Sequence, residues 1–246
     1  MTTFKRLSRP GRITLSLLLL VASGSSVTAQ TIGTAAVDQR GGPRQIKSDP
    51  LRIIFSESPA LLILIDGDPV YRRIEDTDLE RIVNTRALIV RDSGGIHYMK
   101  VLDGWMEAYA LTGDWSVSGE TPFRGTGALK RVVDVSIVDV LVAKGLGADG
   151  SLADQVPTIF VSTQPAALIV TNGPARYQAV EGTSLEYLAN TTATVFREPT
   201  DQELYVLVEG RWFRAWRTDG SWQLIPGDEL PADIVKYIGH RAEGER

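Results

Sequence analysis

The sequence predicts a mainly β protein, a tandem duplication of two similar antiparallel β units with one connecting helix. Three observations carry that expectation. Apolar runs of four to seven residues, rich in Val and Ile, are broken by Gly, Asp and Asn, the pattern of strands joined by tight turns. The order of those runs then returns: residues 53–91, laid over residues 159–197 without a gap, agree at 16 of 39 positions. Ordinary residue frequencies give about two or three. Finally, all five tryptophans, at 105, 115, 212, 216 and 222, fall in two stretches with one plan. Each reads as strand, tight turn at Asp103-Gly104 or Glu209-Gly210, returning aromatic strand, second Gly turn and a last Trp.

Residues 1–29 read as a secretory signal. Lys5, Arg6, Arg9 and Arg12 form a basic n-region, residues 13–22 an apolar h-region, and Val27-Thr28-Ala29 a small-residue cleavage site. The apolar run is shorter than the ~20 residues that span a bilayer, so removal after Ala29 leaves no expected membrane span. It also moves the formal charge from −4 to −8, because four basic residues and no acid leave. An acidic periplasmic or secreted chain lacks the basic footprint of a nucleic-acid binder. Without cysteine it must hold together by packing alone.

Residues 30–48 are polar and aperiodic and read as a flexible tether. Residues 49–120 form the first β repeat, with strands expected over 51–55, 61–65, 70–74, 79–83, 87–90 and 96–102 and a turn at Asp66-Gly67-Asp68-Pro69. Residues 121–155 link the units. Within them, residues 128–144 set Leu129, Val132, Val133, Ile137, Val140 and Leu141 near helical spacing, with Gly145 as a stop. The many valines make a strand the competitor. Residues 156–240 form the second β repeat, closed by a short helix opening at Pro231-Ala232-Asp233, with a frayed tail after Gly239.

Within a duplicated chain, positions that recur serve what both copies need, most simply the fold. Gly67 and Gly173 are expected at positive φ, and Pro59 and Pro165 at a strand edge or corner. Glu75/Glu181 and Glu80/Glu186 recur as carboxylates, with Arg91/Arg197 the expected partner if the strands adjoin.

Catalytic chemistry finds little to build on. The only histidines are His97 and His240, and without cysteine no set has zinc or copper ligand spacing, so no metal or other cofactor is expected. There is no Gly-x-Ser-x-Gly elbow and no phosphate loop. The aromatics remain. Alternation places Trp212, Arg214 and Trp216 on one face of a strand and Trp105, Glu107 and Tyr109 on the corresponding face of its counterpart. One reading has Trp105, Trp115, Trp212 and Trp222 closing the two small cores. The other makes Trp105, Tyr109, Trp115, Trp212, Arg214, Trp216 and Trp222 a stacking platform for a polysaccharide, with Glu209 and Asp219 as further hydroxyl partners. Trp216 is the best single candidate.

Residues 53–115 and 159–231, with P-A-x-L-I, N-T-x-A, G-R-W-F-R-A, G-x-W and D-E-L-P-A-D, resemble the repeats of exported bacterial proteins of carbohydrate-binding family V/XII. The resemblance implies a non-catalytic envelope protein that binds a chitin-like or cell-wall glycan. The competing expectation is a structural or protein-interaction role in the bacterial envelope, its partner docking on edge strands or the aromatic face.

Overall fold

A computed structural model describes residues 51–123, residue 129 and residues 151–244. The expected signal segment, the tether and, save Leu129, the helix over 128–144 lie outside the described residues. The first unit runs β1 (Arg52–Ser56), β2 (Ala60–Leu64), β3 (Tyr71–Arg73), β4 (Glu80–Ile82), β5 (Ile89–Arg91), β6 (His97–Val101), β7 (Gly104–Ala108) and β8 (Ser116–Val117). The second repeats it as β9 (Thr158–Ser162), β10 (Ala166–Val170), β11 (Tyr177–Ala179), β12 (Glu186–Leu188), β13 (Thr194–Arg197), β14 (Leu204–Val208), β15 (Arg211–Ala215) and β16 (Gln223–Ile225). A 3-10 turn (Gly227–Glu229) and helix α1 (Ala232–Gly244) follow. Strands β3–β8 form one six-stranded antiparallel meander and β11–β16 another.

The two units are not side-by-side modules. β1 pairs in parallel with β10, matching Ile54 to Leu168, and β2 pairs in parallel with β9, matching Leu62 to Phe160. Each copy thus lends its first strand to the other. Ile53 of the first copy lies in a core with Ile169, Val206 and Phe213 of the second. Ile159 and Val161 of the second copy lie in a core with Leu61, Ile89 and Met99 of the first. The opposite faces of the two ladders meet each other through Ile54, Ala60, Leu62, Ala166 and Leu168. The layers run six-stranded sheet, β2–β9, β1–β10, six-stranded sheet, with a pseudo-twofold between the ladders.

Sequence explains why these four strands take the interior. A-L-L-I-L and A-A-L-I-V are apolar throughout, and R-I-I-F-S and T-I-F-V-S each hold three consecutive apolar residues, which is what burial on both faces requires. By contrast β6, H-Y-M-K-V, alternates buried and half-buried residues, as a sheet facing a core on one side should.

The recurring residues hold the corners of this exchange. Ser56 Oγ donates to Ser58 O at 2.8 Å and Ser162 Oγ to Gln164 O at 2.8 Å, tightening the bend before each recurring proline. The proline carbonyls then accept from the other copy, Pro59 O from Thr158 N at 2.9 Å and Pro165 O from Arg52 N at 3.4 Å. Gly67 (φ +79°) and Gly173 (φ +76°) adopt the expected left-handed backbone. Asn84 Nδ2 donates to Asp66 O and Asp68 O, and Asn190 Nδ2 to Asn172 O and Pro174 O, which pins the turn after each central strand.

The outer face of the second sheet is covered by α1, whose Ile234 and Tyr237 pack with Phe196, Tyr205 and Trp212. Asp233 fixes the helix by accepting from Ser184 N (2.9 Å) and Ser184 Oγ (3.1 Å). The helix continues past Gly239, where fraying was expected, through residues that include Arg241, Ala242 and Glu243, all good helix formers. On the first sheet Phe123 and Leu129 occupy the matching place over Trp105.

Because each core is completed by a strand of the other copy, cutting the chain between the units should not separate them. With a protease site inserted among residues 130–149, the two fragments are expected to co-elute after cleavage and melt as one transition. Separate elution, or two independent melts, would contradict the exchange.

Candidate functional site

The hairpins β6–β7 and β14–β15 place the aromatic residues. Glu209 (φ +48°) and Gly210 (φ +76°) form the second turn as expected, with both central residues left-handed. The first turn differs by one residue from expectation. Leu102 (φ +51°) and Asp103 occupy it, while Gly104 already pairs with Val101 as the start of β7. The reason is packing. A Cβ on Gly104 would meet Leu152 Cδ1 at 2.8 Å, so the glycine makes room for Leu152 to enter the first core. Asp103 anchors that segment by accepting from Leu152 N at 3.0 Å and Ser151 Oγ at 2.9 Å, which holds its carboxyl below the usual range.

Alternation along β15 is as the sequence implied, Trp212 facing the helix-covered core and Phe213 the inner one. Its consequence is burial. Trp105, Trp212 and Trp222 are 7%, 8% and 1% exposed, so these three candidates are sealed and present no stacking surface. Trp105 packs against Phe123 at 5.7 Å and Trp212 against Phe196 at 6.2 Å. Trp222 stacks on Phe55 of the first copy at 5.9 Å. Trp115 is half-buried and donates Nε1–H to Leu111 O at 3.1 Å. Aromatic burial supplies in each core what cysteine cannot.

Two of the seven candidates are exposed, and they occupy the same place in the two copies. Tyr109 is 88% and Trp216 is 63% exposed. Each stands one residue past the end of its strand, β7 or β15, at the mouth of the second Gly turn. Both turns are closed alike, Gly113 N donating to Ala110 O at 3.0 Å and Gly220 N to Arg217 O at 3.1 Å. The final Trp of each stretch pins the turn to its core, so the exposed ring sits on a held backbone.

Polar groups flank Trp216. Arg214, two residues earlier on the strand, is half-buried and pairs across the sheet with Tyr205 and with exposed Gln223. Its Nε lies 3.9 Å from Glu203 Oε1, and Tyr205 donates to Glu203 Oε2 at 2.5 Å. Burial, then that hydrogen bond to a carboxylate, raises the Tyr205 hydroxyl pKa, so the phenol stays protonated. Arg217 donates through Nε and Nη2 to the two oxygens of Asp219 at 2.9 and 2.7 Å and holds that carboxyl below its usual range. Glu209 does not join this group. It sits in the turn beyond Arg211, and β15 from Arg211 to Ala215 alone spans four residue steps, about 13 Å. Near Tyr109 the corresponding row carries Glu107, whose Oε2 accepts from Ser118 Oγ at 2.6 Å.

The recurring carboxylates Glu80 and Glu186 pair as expected with Arg91 and Arg197, directly across the sheet. Arg91 donates to Glu80 Oε2 through Nε (3.2 Å) and Nη2 (2.6 Å), and Arg197 repeats this on Glu186. Each guanidinium also stands 3.7 Å over a tyrosine ring, Tyr71 or Tyr177. Tyrosine stacking was missed at the sequence level although Tyr71/Tyr177 recur; the recurrence was the available signal. The first copy adds His97, whose Nε2 lies 2.8 Å from the Tyr71 hydroxyl, within hydrogen-bond distance. These side chains close one end of the core. Among the described residues no three His, Asp or Glu side chains gather as a metal site, and no helix is long and apolar enough to cross a membrane.

Burial, and next the Arg91 charge, holds His97 below its ordinary pKa. The unfolded chain therefore binds the proton first as pH falls, and stability drops through the ordinary histidine range near 6.5. His97→Leu, the residue standing at the matching position 204, should lose less thermal stability between pH 7.5 and 5.5 than the parent protein. Equal losses would show that His97 is not the titrating group. No protein-family model, no curated protein and no solved structure matches the chain.

Proposed function

We propose that this chain is an exported, non-catalytic protein that binds a polysaccharide, of chitin-like or cell-wall type, on the exposed rings Trp216 and Tyr109. The observation that carries the reading is their exposure at matched positions while the other matched aromatics are buried or half-buried. An exposed indole is costly to keep in water, and a flat ring offers the apolar C–H face of a sugar a stacking surface. Arg214, Gln223 and the Arg217–Asp219 pair lie on the same part of the second unit and supply hydrogen-bonding groups for hydroxyls. The basic-then-apolar residues 1–29 support export, and the family resemblance of the Trp-rich repeats supports the ligand class.

Covering the exposed part of one such ring contributes about 2 kcal/mol, against roughly 4 kcal/mol for millimolar affinity. Each ring is therefore a weak contact helped by its polar neighbours. The test is retention of the mature protein on chitin, cellulose and peptidoglycan. Retention on at least one is expected, and Trp216→Ala should weaken it at least about tenfold while leaving the melting temperature unchanged. Failure to bind any of the three removes the proposal, and a defined protein adduct on cross-linking in envelope extracts would then favour a protein-docking role.

A further inference from the structure

Tyr109 and Trp216 cannot serve one contact. They follow β7 and β15, which belong to the two outermost sheets. Between those sheets lie the β2–β9 and β1–β10 ladders, face to face through Ile54, Leu62 and Leu168. Three layer spacings of about 10 Å put the sheets roughly 30 Å apart. Because each ladder joins a strand of one copy to a strand of the other, the units cannot hinge to bring the rings together. Both rings are held by equivalent turns, closed at Gly113 and Gly220, so each is presented to solvent in the same manner.

We propose, on the strength of the polysaccharide-binding reading, that the monomer is bivalent and bridges separate glycan chains. One ring engages each chain across the rigid four-layer body. Two weak contacts on one rigid frame also explain how such a protein stays on an insoluble polymer. Once the first ring is bound, the second meets a high effective concentration of sites, and avidity can exceed either affinity by about 10²–10⁴. Losing one ring then costs far more than half of the retention.

The experiment adds the mature protein to finely dispersed chitin and, separately, to peptidoglycan sacculi, and reads retention and particle clumping together. Expected is clumping that rises and then falls with protein concentration, as excess protein fills sites singly. Tyr109→Ala and Trp216→Ala, both at exposed positions, should each abolish clumping and reduce retention on the same particles at least about a hundredfold. Retention without clumping at any concentration overturns bivalence and leaves the binding reading standing. Clumping that survives Tyr109→Ala overturns it too, because a dimer of single-site protomers would then be the bridge. Absence of retention on either particle defeats the inference together with the reading beneath it.

Discussion

Everything in this molecule rests on two short parallel ladders in which each repeat completes the other. Parallel pairing between β1 and β10, and between β2 and β9, puts four apolar strands where both faces are covered. The chain has no cysteine, and a unit of ~75 residues is marginal on its own packing. Exchange removes that difficulty by merging two small cores through a third, the cluster of Ile54, Ala60, Leu62, Ala166 and Leu168. Truncating one of these leucines to alanine falls in the range of about 2–5 kcal/mol, a large part of the stability of any small domain.

From that constraint the distribution of the aromatics follows. Two sheets that each cover an inner ladder still have an outer face to protect, and here α1 covers one while Phe123 and Leu129 stand over part of the other. Trp105 and Trp212 are consumed in these outer clusters, and Trp222 with Phe55 in an inner one. Tyr109 and Trp216, one residue beyond the strands, fall outside every core. Their exposure is therefore a choice of residue at a position where any polar side chain would fit, which is what makes it informative about binding.

Much of the architecture was legible in the chain. Strand positions, the duplication, left-handed Gly67 and Gly173 and the Glu–Arg cross-strand pairs all rest on local signals or on simple recurrence. The exchange was harder to see, because parallel pairing links residues 98 or 114 positions apart and leaves no turn signature. Its one trace was the run of consecutive apolar residues in β1, β2, β9 and β10 beside the alternation of β6. The first hairpin turn was misplaced because a Gly after Asp reads as turn chemistry, whereas Gly104 answers to the close approach of Leu152. In the site, period-2 alternation found which residues share a face but not which face a helix would cover. Trp216 already stood outside the core reading, but α1 decided that Trp212, on the same face, is core and not platform.

Since the native chain contains no cysteine, a single engineered pair reports on the ladder without background. Ile54 and Leu168 are directly opposed in the β1–β10 register, and neighbouring strands lie about 4.8 Å apart, within the Cα range a disulfide accepts. Oxidation of the Ile54→Cys/Leu168→Cys protein should give a monomer with a closed loop, running faster than its reduced form on a non-reducing gel. Free thiols, or cross-links formed only between molecules, would contradict the interlocked repeats on which the whole account stands.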